Sequence, residues 1–333
     1  MGRYSGPVGV TGRYLTRMTQ GLSLRRGLLG VVLVGTAAVA VCAVYPRGVL
    51  VAPELPVRWA PDSLLQGAAA IIVVGPDTGA AGSGDTVVAV AGTLAGEPLR
   101  FERGRDGAFR ALAAIPVNAA ATIPIPLSVV RTSDDTAHQF TRAPVKGGRF
   151  ATERLRLPAR FVTPPDSLRG RLEEERRVIR AAMAGTVRTP RLWRAPFGEP
   201  LSRPMRVTGG FGTRREINRT AQSRHLGVDL DGNVGTPVKA TNRSVVVVAG
   251  SYYYQGNAVY LDHGHGLLTS YMHLSRLLVS VGDTVEAGQV IGLVGATGRV
   301  TGPHLHWTAY FGRILFDPLS LLSPEVEALA SQW

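Results

Sequence analysis

The hydrophobic positions of this chain fall into four successive textures. First comes an uncharged run at 27–45, GLLGVVLVGTAAVAVCAVY. From about 50 to 160 the apolar residues then cluster in short runs, 69–74 (AAIIVV) and 86–91 (TVVAVA). Turn material separates them at Gly75-Pro76-Asp77 and Gly82-Ser83-Gly84-Asp85. Short apolar runs bounded in this way predict strands, and further strands are expected at 99–102, 109–114 and 126–131. Several short strands at regular spacing predict a small β-sandwich.

Pro164-Pro165 breaks that texture, and 166–184 changes to a helical period. Leu168, Leu172, Ile179 and Met183 recur on one side, and Glu173, Glu174 and Glu175 precede Arg176, Arg177 and Arg180. Asp166 is placed to cap this helix and Gly185 to end it. From about 205 onward, short apolar runs alternate with glycine and predict a second β region. The fold class expected is mainly β. A β-sandwich-like domain over 47–162 leads through a helical connector at 163–200 to a β-sheet domain at 201–333.

Charge changes the picture at the amino end. Residues 1–50 hold six arginines and no acid, so 1–26 reads as a basic cytoplasmic leader and 27–46 as a membrane-directed segment. Its apolar run exceeds the roughly 7–15 residues of a signal-peptide core and approaches the roughly 20 that span a bilayer. Three readings stay open: an uncleaved single-pass anchor, a signal cleaved near Val41-Cys42-Ala43, and lipidation of Cys42. An uncleaved anchor, which the length favours, sits in the inner membrane. All three place the bulk of the chain outside the cytoplasm, in the periplasm or cell envelope.

The whole chain of 333 residues has a formal net charge of +13, of which the remainder beyond residue 50 carries +7. That balance suits an anionic envelope. No stripe of Lys and Arg with interleaved aromatics accompanies it, so nucleic acid is not expected as a partner. With Cys42 as the single cysteine, no intrachain disulfide is possible, and the cores or a metal must hold the fold.

Six of the seven histidines lie between residues 225 and 306. Three clusters matter: His225-Leu226-Gly227-Val228-Asp229, Tyr271-Met272-His273-Leu274, and Gly302-Pro303-His304-Leu305-His306-Trp307. Residues two apart on a strand share a face, so His304 and His306 would look into one cleft while Leu305 faces the core. Fully extended, His225 and Asp229 would lie about 13 Å apart, too far to share an ion, so the chain must bend, and Gly227 permits it. Apolar Val228 and Leu230 put Asp229 at the start of a strand. One carboxylate and two imidazoles make a three-ligand zinc site with a position left for water, the pattern of hydrolytic zinc. Composition does not say which histidines ligate.

Taken in order, H-x-x-x-D, Y-x-H-L and G-P-H-L-H resemble the LytM/lysostaphin-type zinc peptidases, the M23 family of cell-wall endopeptidases. Gly210-Phe211-Gly212-Thr213-Arg214, Gly282-Asp283-Thr284-Val285, Gly295-Ala296-Thr297-Gly298 and Asp317-Pro318-Leu319 are similar to the flanks of those motifs, and the resemblance covers roughly 205–322. It implies a Zn2+ cofactor held by His225, Asp229 and His306. It makes His273 and His304 the catalytic pair that activates water and steadies the oxyanion, and the peptide part of peptidoglycan the substrate. Thr308 stands where such enzymes often carry Glu. Residues 50–200 resemble, more loosely, the amino-terminal β domain and linker of some of these peptidases. The rival from another class is a LytM-like regulator that binds wall or activates an amidase; loss of metal ligands would mark it, and none is lost here.

Other features have plainer readings. His138 is expected in a solvated loop, and His263 and His265 in a glycine-rich hairpin turn or beside the site. Tyr252-Tyr253-Tyr254 is a candidate lining for a substrate groove, although alternate strand residues more often pack than bind. The 281–288 segment resembles a lipoyl-carrier hairpin, but no lysine follows Lys239 to be modified.

Overall fold

Strands Ala69–Val74 and Phe109–Ala114 are buried along their whole lengths, which is why their sequences read as unbroken apolar runs. They form the centre of a four-stranded sheet ordered Val57–Ala60, Ala69–Val74, Phe109–Ala114, Glu102–Arg103. A five-stranded sheet, ordered Leu64–Leu65, Thr136–Lys146, Thr122–Arg131, Val87–Leu94, Glu97–Leu99, packs its alternating apolar face against the same core. In Thr122–Arg131 this face is Ile123, Ile125, Leu127 and Val129. The computed structural model describes residues 54–76, 86–219 and 221–333. The 27–46 segment and its anchor lie outside the described residues, among which no helix is long and apolar enough to cross a membrane.

Three details differ from the sequence reading. The strand expected at 99–102 is two short strands in different sheets, because the chain crosses from one sheet to the other at Arg100-Phe101. His138 sits on the exposed side of Thr136–Lys146, with Nδ1 3.1 Å from Ser128 Oγ, and not in a loop. This 11-residue strand escaped notice because much of TAHQFTRAPVK is polar and it buries only Ala143 and Val145. Finally, Asp166 does not cap the helix. The segment begins as a 3-10 turn, Asp166–Leu168, and Asp166 pairs instead with Arg169 at 2.6 Å.

The helix proper, Arg169–Gly185, lays Val178, Ile179, Ala182 and Met183 on a cluster built from Val248, Tyr260, Met272 and Tyr310. Gly185 is its last residue, and Thr186 continues with a right-handed φ of −58°, so no left-handed glycine terminates it.

The carboxyl-terminal half is a ten-stranded sheet. Its path runs Val207–Gly209, Val228–Leu230, Leu305–Phe311, Leu267–Leu277, Gly256–Gly264, Ser244–Tyr252, Thr284–Val285. Val228, Leu230, Tyr271, Leu274, Leu305 and Trp307 fill the core beneath it. Strands distant in sequence are neighbours here, since Val228–Leu230 pairs with Leu305–Phe311 and the latter with Leu267–Leu277. That topology brings the three histidine motifs together. A separate three-stranded sheet adds Thr152–Leu155, parallel to Arg214–Ile217, with Ala221–Arg224 beyond it.

Candidate metal centre and cleft

The register decides the site. Asp229 is the direct cross-strand partner of His306, and His306 is in turn the partner of Met272, next to His273. Val228 and Leu230 are fully buried while Asp229 points the other way; Leu305 and Trp307 are fully buried while His306 faces the cleft. His304, one step outside its strand, bridges Gly295. The chain bends at Gly227, as the spacing requires. Glycine is needed there for room, since a Cβ would lie 2.6 Å from His306 Nε2 and 2.7 Å from Thr308 Oγ1.

His225, Asp229, His273, His304 and His306 all line one cleft of about 260 Å³. His225 Nε2 lies 3.0 Å from Asp229 Oδ1 and 3.0 Å from His306 Nδ1, and His306 Nδ1 lies 2.7 Å from the same Oδ1. One atom from each residue can thus face a common point, all within 4.8 Å of one another. The His304 and His273 rings stand 5.0 Å apart, and the His273 ring is 5.8 Å from that of His306. His304 Nε2 is 3.6 Å from Asp229 Oδ1.

Backbone carbonyls set the imidazoles. His225 Nδ1 is 2.9 Å from Gly210 O, His273 Nδ1 2.9 Å from Thr297 O, and His304 Nδ1 2.9 Å from Gly302 O. A carbonyl only accepts, so each Nδ1 carries the proton and each Nε2 turns a lone pair toward the cleft. His225 Nε2 and His306 Nδ1 thus crowd the same oxygen of the Asp229 carboxylate. A divalent cation fits that donor set, and zinc ligands about 3.3 Å apart would need these atoms to open by about 0.3 to 0.6 Å.

Burial would raise the Asp229 carboxyl, but the close approach of His225 and His306 holds it far below the ordinary carboxylate range. Arg215 adds a partner, with Nη2 2.9 Å from Asp229 Oδ2 and Nε 3.1 Å from Glu153 Oε2. Burial, and then the neighbouring His306 and His304, push His273 down to about 3, so it stays neutral. His273 also holds a left-handed φ of 64°, unusual for a residue with a side chain, pinned by its N–H bond to Gln255 O. Burial lowers His306 as well, even though the Asp229 hydrogen bond opposes it.

Residues 223–318 match the Peptidase family M23 model. The chain carries a Peptidase family M23 domain. Peptidoglycan DD-endopeptidase ShyC of Vibrio cholerae is 39% identical to the domain-bearing region over 128 residues, 38% of this chain and 30% of ShyC. ShyA of the same organism is 43% identical over 109 residues, 32% of this chain and 25% of ShyA. The chain thus spans less than a third of the length of ShyC and of ShyA. A Pseudomonas aeruginosa crystal structure, provisionally named a peptidase M23, superposes with a TM-score of 0.50 at 26% identity. It covers 72% of this chain and 92% of its own, so the likeness runs beyond the matched domain.

Some cleft residues carried no signal in the sequence reading. Arg215, Glu153, Arg224 and Arg299 line it, and only the adjacent Arg214-Arg215 pair beside the first motif could have drawn notice. Of the three tyrosines, Tyr254 lines the cleft, whereas Tyr252 packs on the helix-side cluster and Tyr253 on Phe161. His265 occupies the hairpin turn with a φ of 53°. His263 lies deeper than a turn residue, fully buried at the end of its strand, with Nε2 2.8 Å from Thr269 Oγ1.

Proposed function

We propose that the chain is a zinc-dependent endopeptidase that hydrolyses peptide cross-links of peptidoglycan on the outer side of the cytoplasmic membrane. The observation that carries this is the convergence of His225, Asp229 and His306 on one point, flanked by two further imidazoles with lone pairs free. Zinc bound there would polarise the scissile carbonyl and make hydroxide accessible near neutral pH. His304 has Nε2 at the edge of the donor set and a backbone carbonyl on Nδ1. It accepts the proton of the attacking water and returns one to the leaving amine. His273, neutral and fixed in its left-handed conformation with the Nε2 lone pair turned to the cleft, is the second imidazole placed to accept a hydrogen bond from the attacking water and orient it. Arg215 keeps Asp229 anionic and oriented.

The relatives named peptidoglycan DD-endopeptidases support peptidoglycan as the substrate, and the apolar run at 27–45 supports export with an inner-membrane anchor. The test is digestion of purified sacculi by the full chain and by His304→Ala, followed by separation of the muropeptides. Cross-linked dimers should be converted to monomers by the first and not by the second. Intact dimers after both would leave a wall-binding regulator as the better reading.

A further inference from the structure

Two guanidinium groups in the cleft face no acid. Glu153 and Asp229 are the carboxylates among its lining residues, and Arg215 bonds both. Arg224 lies instead over the ring of Phe150 at 5.1 Å, and Arg299 over the ring of Tyr254 at 4.8 Å. Nη1 of Arg224 is buried without a hydrogen-bond partner among the described residues. Arg299 is exposed, and no side-chain hydrogen bond joins it to a described residue. A guanidinium stacked on a ring is oriented without using its in-plane N–H forks, and those forks match a carboxylate edge to edge.

Both stacks are held firmly. Arg299 donates its backbone N–H to Tyr254 O at 2.9 Å. Gly298 lies so close to the neighbouring loop that a Cβ would come within 2.3 Å of Gly256 N. Phe150, the ring under Arg224, packs against Gly212, where a Cβ would meet it at 2.1 Å. Arg224 immediately precedes His225, and Arg299 lies five residues before His304, so both forks belong to segments that carry the site. Leaving a buried donor unpaired is costly, which argues that the acceptor comes from outside the chain.

We propose that Arg224 and Arg299 form a carboxylate-recognition pair. The cleft then selects peptides that carry a free carboxylate beside the bond to be cut over the same peptides with a carboxamide there. This deepens the endopeptidase reading and rests on it for the identity of that bond.

The test uses the full zinc-loaded chain and two cross-linked muropeptide dimers, one with free carboxylates flanking the cross-link and one with those groups amidated. One charge-assisted contact predicts a preference for the free-carboxyl dimer of about 10- to 100-fold, carried mainly in KM. In Arg224→Gln and Arg299→Gln the ratio should fall toward one, and Arg299→Lys, which keeps charge but loses the fork, should recover part of it. Binding of both dimers to chelator-treated protein, read by fluorescence anisotropy, separates the two claims. Discrimination in binding without any cleavage would sink the endopeptidase reading and keep the carboxylate pair. Equal cleavage and equal binding of the two dimers by the unsubstituted chain would overturn the pair and leave the endopeptidase standing. Failure to bind or cleave either dimer would overturn both.

Discussion

Replacing Gly227 with alanine probes how tightly the cross-strand register holds the metal ligands. The new methyl would sit 2.6 Å from His306 Nε2, 2.7 Å from Thr308 Oγ1 and 2.8 Å from His306 Cε1. The strand behind them cannot retreat, because Leu305 and Trp307 are fully buried on its other face. The His306 ring must therefore swing, moving Nε2 from 2.6 Å to beyond 3.0 Å and toward the 3.4 Å of ordinary contact, and the rigid ring carries the metal-facing Nδ1 with it. A shift of that size exceeds the roughly 0.2 Å latitude of a zinc–ligand bond. Overpacking should cost about 1–3 kcal/mol of stability. Zinc affinity should drop about 10- to 100-fold, as it does when groups that orient ligands are disturbed. Competition against a chromophoric chelator measures the affinity, and thermal unfolding of the metal-free protein measures the stability. Gly170→Ala is the control, since a methyl there, on the helix, meets nothing within 4 Å. Gly227→Ala protein that holds zinc as tightly as the unsubstituted chain would refute the reasoning.

Three further outcomes follow from the same geometry. Arg215→Met should loosen Asp229 and weaken zinc binding by about 10-fold or more, whereas Glu153→Gln, one bond further out, should weaken it less, both read by chelator competition. His304→Ala should retain zinc while kcat on cross-linked muropeptides falls by about 100-fold or more, measured with metal content on the same sample. Burial first, opposed by its bond to Arg243 O, holds His263 down to about 4 against an ordinary 6.5. Between those values the unfolded chain binds a proton that the folded chain refuses. Stability should therefore fall as pH drops from 6.5 toward 4, by about 3 kcal/mol in all, and denaturant midpoints of His263→Asn should show a flatter profile.

The chain disclosed its strands where burial was decisive. The runs 69–74 and 109–114 became strands with those bounds because both faces are covered, leaving no polar position to blur the pattern. The strand at 136–146 stayed hidden because its outer face meets solvent and carries the polar half of its sequence. At the site, the histidines and Asp229 were legible because metal-ligand residue types at close spacing are rare by chance. Arg215, Arg224 and Arg299 were not, because an isolated arginine reads as solvated surface until its tertiary partner is known. For Gly227 the bend could be foreseen from the distance between His225 and Asp229. The crowding could not, since its cause, His306, arrives from 79 residues further along the chain.

Metal stoichiometry on the purified full chain tests the central claim most directly, with elemental analysis of wild type beside His306→Ala and Asp229→Ala. The account predicts one tightly held zinc per chain in the wild type and its loss in either variant. Variants that keep a full zinc complement would contradict it, as would a wild-type chain that takes up no zinc when the metal is supplied.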